Sequence, residues 1–221
     1  MTAYPDVIPV FPLTGILLLP GGSIPLHIFE ARYRSMVHDA LAGEGILGMI
    51  QPLLPQSESP RDDGLASDPP DLYEVGCAGS IDRWERLEDG RYLILVRGVS
   101  RFRIVSELPE VRGYRRFQVD HAEFAGDADA TVTFETTALL QALQAFSDVH
   151  QMALDFARLR ELPGITLLNS VAMALPFAPA EKQALLEAPT VVERYDTLVA
   201  LLRMGIELKA YGEANAPPPP N

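Results

Sequence analysis

Ile8-Pro9-Val10-Phe11-Pro12-Leu13, Ile16-Leu17-Leu18-Leu19-Pro20-Gly21-Gly22 and Ile24-Pro25-Leu26-His27-Ile28-Phe29-Glu30-Ala31-Arg32-Tyr33 decide the fold of this chain. They are short apolar runs cut by prolines and glycines. Val7 to Phe11, Ile16 to Leu19 and Ile24 to Phe29 are each strand-length and bounded by turn residues. Pro9, Pro12, Pro20 and Pro25 each remove a ladder donor, so these strands belong at edges, kinks or barrel corners and not in the middle of a flat sheet. A helix follows at once, because Tyr33, Met36, Val37, Ala40 and Leu41 form an apolar stripe at helical spacing. Arg32, Arg34, His38 and Asp39 take much of its other face, and Glu30 is read into the first turn, where a carboxylate suits the helix dipole. Gly43 and Gly45 stop the helix, and Gly45 to Ile50 returns as an apolar strand.

Working outward, residues 52–71 lose all apolar period and mix prolines with Ser, Asp and Gly, which predicts a disordered loop. Strands resume at Val75 to Trp84, turn at Glu88-Asp89-Gly90 and return through Arg91 to Val96. Leu93-Ile94-Leu95-Val96 is apolar on both faces, which predicts a central strand, and Gly98 marks a bulge or kink. Arg101 to Ile104 alternates, and Arg115 to Phe124 reads as a further strand. From Thr131 the pattern is helical. Segments end near Pro163, Pro176 and Pro189, Pro179 stands at a first helical position, and Thr190 with Glu193 makes a capping box. Val192, Tyr195, Leu198, Val199, Leu202 and Ile206 are expected along one side of the last helix. Residues 213–221 end in prolines and are expected to be a disordered tail. Strands before helices argue an α+β fold, read as a β-rich domain over 1–125 and a helical bundle domain over 126–212.

The same opening run, with Leu47-Gly48-Met49-Ile50, Leu72 to Gly79, Arg97 to Ile104 and Leu175-Pro176-Phe177-Ala178-Pro179-Ala180-Glu181 to Glu187, resembles the N-terminal substrate-binding domain of Lon-type ATP-dependent proteases. More narrowly, it looks like the stand-alone bacterial proteins built from that domain. The resemblance implies a PUA-like pseudo-barrel with one inserted helix, followed by a helical bundle, and a non-catalytic role in binding polypeptide. It implies neither the ATPase nor the protease module of the full enzymes. Glu30, Arg32, Gly48, Gly76, Gly98 and Pro176 are taken as structural members of the motif.

Chemistry is sparse. Gly43-Glu44-Gly45-Ile46-Leu47-Gly48 has dinucleotide-loop spacing, but a helix precedes it and a strand follows, the reverse of what a pyrophosphate needs. Lys182 and Lys209 are the only lysines, and neither lies in a phosphate-loop context. There is no Gly-x-Ser-x-Gly elbow, and His27, His38, His121 and His150 show no metal-ligand spacing, so no catalytic residue, metal or cofactor is assigned. His27 is expected to be half-buried, and the lone Cys77 an inert buried thiol in a reducing, cytoplasmic setting. Asp62-Asp63 and Asp127-Ala128-Asp129 read as solvated loop charge. No apolar run nears the about 18 residues of a membrane span, and the N-terminus lacks the basic region and apolar core of a secretory signal.

A net charge of −12 repels a phosphate backbone. Arg97, Arg101, Arg103, Arg112, Arg115 and Arg116 could form a local basic face, which leaves RNA binding as an alternative. The preferred reading is a binder of unfolded or extended polypeptide, through strand addition or loose apolar contact. Its expected surface is Pro12, Leu13, Pro25, Leu26, Ile28 and Phe29, with Tyr33 behind. A further alternative is an adaptor that docks a separate protease or ATPase. Oligomeric state is not legible in the sequence.

Overall fold

A computed structural model describes residues 4–53, 70–128 and 134–214. The elements are β1 (Val7–Pro12), β2 (Ser23–Ile28), α1 (Ala31–Ala42), β3 (Ile46–Ile50), β4 (Val75–Arg86), β5 (Tyr92–Val111) and β6 (Tyr114–Asp120). A 3-10 helix (Ala122–Ala128) then leads to α2 (Thr136–Val149), α3 (Phe156–Arg160), α4 (Gly164–Ala174), α5 (Pro179–Glu187) and α6 (Val191–Ala214). This is the expected α+β order, and among the described residues α1 is the one α-helix inside the β-rich part. The interior of the 52–71 loop, the helix start near Thr131 and the tail from residue 215 lie outside the described residues, while Glu213 and Ala214, expected in the tail, are the last residues of α6. At the loop's neck Pro52 bridges Leu72, the Leu53 N–H donates to Asp71 O at 2.8 Å and the Tyr73 N–H to Gln51 O at 3.0 Å.

The strands form one sheet in the order β2-β5-β4-β3-β1-β6, and β5 also pairs with β6. The ring from β5 through β4, β3, β1 and β6 therefore closes on itself, and β2 hangs on β5 as an edge strand. Closure needs strands that change partner. β1 does so at a proline: Val7 to Pro9 pair with β6, and Val10 to Pro12 pair with β3. β5 is long enough to take β2 and β4 along its first half and β6 along its second. Ala78 faces Ser100 while Gly79 faces Gly98, so Val99 is the extra residue of a bulge beside Gly98, as the sequence suggests. Gly98 also has no room for a Cβ, because the Leu19 carbonyl lies against it. Gly48 and Gly76 leave space for the fully buried Phe102. A Cβ on Gly48 would sit 3.0 Å from its ring, and one on Gly76 would overlap it.

Several expectations need correcting. Ile16 to Leu19 is not a strand. Leu17, Leu18 and Leu19 are buried, and their stretch is held by side chains and turns in place of a ladder. The Lys182 ammonium donates to Gly15 O at 2.9 Å, the Asn169 amide to Pro20 O at 3.0 Å, and the Gly22 N–H to Leu19 O at 2.9 Å. β6 stops at Asp120, whose carboxylate accepts the Ala122 N–H at 2.8 Å and starts the 3-10 helix, and Phe124 joins the core from there. Glu30 is the residue before α1, not part of its first turn. On α6, Val192 faces out and Val191 faces in.

The helical half follows its caps. Pro179 opens α5, and the Glu181 carboxylate accepts the Ala178 N–H at 2.7 Å. The Thr190 hydroxyl accepts the Glu193 N–H at 3.1 Å while the Glu193 carboxylate accepts the Thr190 N–H at 3.0 Å, the reciprocal box read from sequence. α4 ends at Ala174, two residues before Pro176. One buried cluster runs from Phe11, Leu18, Met36 and Val96 of the barrel to Leu143, Leu168, Leu185 and Leu202 of the helices. A buried ion pair crosses the same junction. The fully buried Arg101 of β5 forks onto Asp127 at 2.7 Å and donates to the Leu186 and Ala188 carbonyls at the C-terminal end of α5 at 2.7 Å. Buried Arg194 of α6 reaches the same carboxylate at 3.9 Å, and burial together with the Arg101 charge holds its guanidinium below the ordinary arginine value.

Candidate binding cleft

The end of β1, the end of β2 and the first turn of α1 meet around a cleft of about 220 Å3. Phe11, Pro12, Leu13 and Thr14 come from one side, Leu26, His27, Phe29 and Glu30 from the other, and Arg32 and Tyr33 from the helix. The Tyr33 ring packs on Phe11 at 4.3 Å between centroids, and the Arg32 guanidinium lies 4.6 Å from the Tyr33 centroid. Burial is the main reason the Tyr33 hydroxyl titrates above its ordinary value. Glu30 and Arg32 neutralise each other at the mouth across 2.9 Å. Phe29 is 62% exposed, a large aromatic surface left in water directly after an edge strand.

Five of the expected surface residues, Pro12, Leu13, Leu26, Phe29 and Tyr33, thus line one cleft. Pro25 is exposed on the adjoining strip. Ile28 is 1% exposed and belongs to the core, because alternation along β2 turns it inward below Leu26.

The strip beside the cleft was not legible as a surface. Leu93 was expected in a strand buried on both faces. β5 is indeed central there, between β2 and β4, but Leu93 is 43% exposed. Register places Pro25, Leu95 and Arg83 in one cross-strand row and His27, Leu93 and Glu85 in the next. Together with Trp84, 55% exposed, they line a shallow cavity of about 510 Å3 that shares Leu26 and His27 with the cleft. His27 is exposed there instead of half-buried. The available signal was the lone tryptophan within Asp82-Arg83-Trp84-Glu85-Arg86, a charged run that has no reason to bury it.

The candidate basic face is largely neutralised. Arg97 pairs with Asp82 at 2.7 Å, Arg101 with Asp127, Arg103 with Glu123 at 2.8 Å and Glu74 at 3.1 Å, Arg112 with Asp39 at 2.8 Å, and Arg115 with Glu107 at 2.6 Å. Arg116 donates to Pro109 O at 3.3 Å. Asp127 is an ion-pair partner in the interior and not solvated loop charge, while Asp62, Asp63 and Asp129 lie outside the described residues. Cys77 is buried in β4 and its thiol is pushed up to about 12, chiefly by burial. Among the described residues no group of three or more His, Cys, Asp or Glu side chains could hold a metal, and no helix is long and apolar enough to cross a membrane.

A closed barrel that carries an edge strand and a cleft of mixed apolar and polar lining, backed by helices that share its core, is the architecture of a Lon N-terminal domain. The chain belongs to the ATP-dependent protease La (LON) substrate-binding domain family, whose model matches residues 7–204. It is 26% identical over 212 residues to Lon protease 2 of Myxococcus xanthus, covering 92% of this chain and 24% of that protein. It is 26% identical over 209 residues to Lon protease of Dictyoglomus thermophilum, covering 92% and 25%. The chain thus spans about a quarter of the length of the curated relatives it matches. Among solved structures, a Lon N-terminal domain protein from Xanthomonas campestris shares the fold with a TM-score of 0.61 at 22% identity, over 88% of this chain and 97% of that one. The N-terminal domain of a Mycobacterium avium complex Lon protease does so at 0.58 and 21%, over 92% and 98%.

Proposed function

We propose that this chain is a non-catalytic module, working without a cofactor in the cytoplasm, that holds unfolded or extended polypeptide on the cleft of Pro12, Leu13, Leu26 and Phe29, with Tyr33 behind and the Pro25 strip alongside. The observation that carries this reading is the convergence of an exposed aromatic, Pro12 and two leucines on one cleft beside a sheet edge with no partner among the described residues. Apolar contact of this kind is tolerant of sequence, which suits a binder of many unfolded chains. The lone buried thiol fits a reducing compartment. The test is an equilibrium titration of the protein against a fluorescent, reduced and carboxymethylated polypeptide. Saturable binding independent of ATP is expected, and Phe29→Asp should weaken it about tenfold or more, since it places a charge on the apolar rim. Unchanged affinity in that variant removes the cleft from the account.

A second reading is an adaptor for a separate protease or ATPase. It is favoured by Met204, Leu208 and Tyr211, which leave an exposed apolar stripe on the last turns of α6. Affinity purification separates the two: one stoichiometric partner supports the adaptor, a broad set of unfolded clients the binder.

A further inference from the structure

We propose that the client enters as a short extended strand laid along the second edge of β2, with one uncharged, apolar side chain seated in the cleft. The inference rests on the polypeptide-binding reading and adds the mode of capture and the class of client to it.

β2 pairs with β5 on one side, and among the described residues no strand pairs with it on the other. Across the cleft β1 is half-paired in the same way. Among the described residues Val10 to Pro12 are in register with β3 alone, because β6 takes only Val7 to Pro9. The cleft therefore lies between the ends of two strands that each keep an unpaired side. Backbone donors and acceptors on such an edge need partners, and another extended backbone supplies them in a row.

Size and charge narrow the client. The volume of about 220 Å3 falls below the about 300 Å3 at which sites for drug-sized ligands begin, and suits one large side chain. The molecule carries −12, yet the charges on this surface cancel: Glu30 is paired to Arg32 at the mouth, and Arg83 stands with Glu85 on the strip. An uncharged segment is the complement of that balanced surface, whereas an ionised side chain in the cleft would be desolvated beside charges already paired to each other, Glu30 to Arg32. Apolar residues at every second position would place one in the cleft and the next but one along the Pro25–Leu93–Leu95 strip. Pro25, in the middle of β2, offers no N–H, which keeps the pairing short and blunts the edge against permanent association.

The experiment compares two fluorescent peptides on the full chain: an uncharged peptide of alternating leucine and threonine, and the same peptide N-methylated along its backbone. The unfolded carboxymethylated polypeptide serves as reference. The parent peptide should bind, and the N-methylated one should bind about tenfold or more weakly, as expected for losing two or three ladder bonds. Equal affinity of the two peptides overturns strand addition and leaves the polypeptide-binding reading standing. Failure of the parent peptide while the unfolded polypeptide still binds does the same. Failure of both probes overturns the underlying reading. Sedimentation of the free chain should give a monomer at micromolar concentration. A dimer that the parent peptide dissociates would assign the β2 edge to a second copy and overturn the proposal.

Discussion

Cys77 and Arg101 show what single residues hold in this interior. The Cys77 thiol is raised from an ordinary 9.0 to about 12, first by burial and then by the Asp127 charge, against the opposing pull of Arg194 and Arg101. Its folded value is above its unfolded one, so its contribution to stability is whole below pH 9 and is lost as pH climbs towards 12. Wild-type stability should fall in that window by about 1.4 kcal/mol per pH unit more than that of Cys77→Ala, measured by urea unfolding at stepped pH. Parallel slopes would show that the thiol is not desolvated as described. Fully buried Arg101 holds a carboxylate and the carbonyls at the C-terminal end of α5. Arg101→Ala removes both hydrogen bonds to the Asp127 carboxylate, leaving it Arg194 at 3.9 Å, and should cost about 3–5 kcal/mol, read as a lowered urea midpoint.

Among the elements, the ones with strong local rules were readable and the ones fixed by distant partners were not. The stripe of α1, the proline at the head of α5 and the box before α6 depend on neighbours within a turn or two, and all stand as read. Thr190→Ala should accordingly lower stability by about 1 kcal/mol without changing the denaturant slope, since a cap and not a packed surface is lost. Ile16 to Leu19 has the composition of a strand, but the run is pinned at its two ends, where the Gly15 and Pro20 carbonyls accept from Lys182 and Asn169, 167 and 149 residues away, which no local pattern encodes. The run Leu93 to Val96 misleads for a related reason. Two apolar faces signal double burial only when something covers the second face, and here Leu93 is left beside Pro25 and His27 on open sheet. Alternation alone could have placed Ile28 inward, since Pro25 and His27 occupy the outward positions of the same strand.

At the scale of the whole molecule, the barrel closes as β1 changes partner after Pro9 and β5 takes β6 along its second half, and among the described residues β2 and the end of β1 are left half-paired. The cleft is thus a by-product of closure, and the apolar side chains around it are held by a core that runs on into the helices. The candidate basic stripe, by contrast, dissolves into pairs with carboxylates from other elements, a neutralisation invisible from arginine spacing alone. The most direct test of the central claim is hydrogen–deuterium exchange of the full chain, with and without a saturating reduced, carboxymethylated polypeptide. Slowed exchange concentrated in residues 11–14 and 23–33 is the predicted result. Protection confined to α6, or spread evenly with no focus at the cleft, would contradict it.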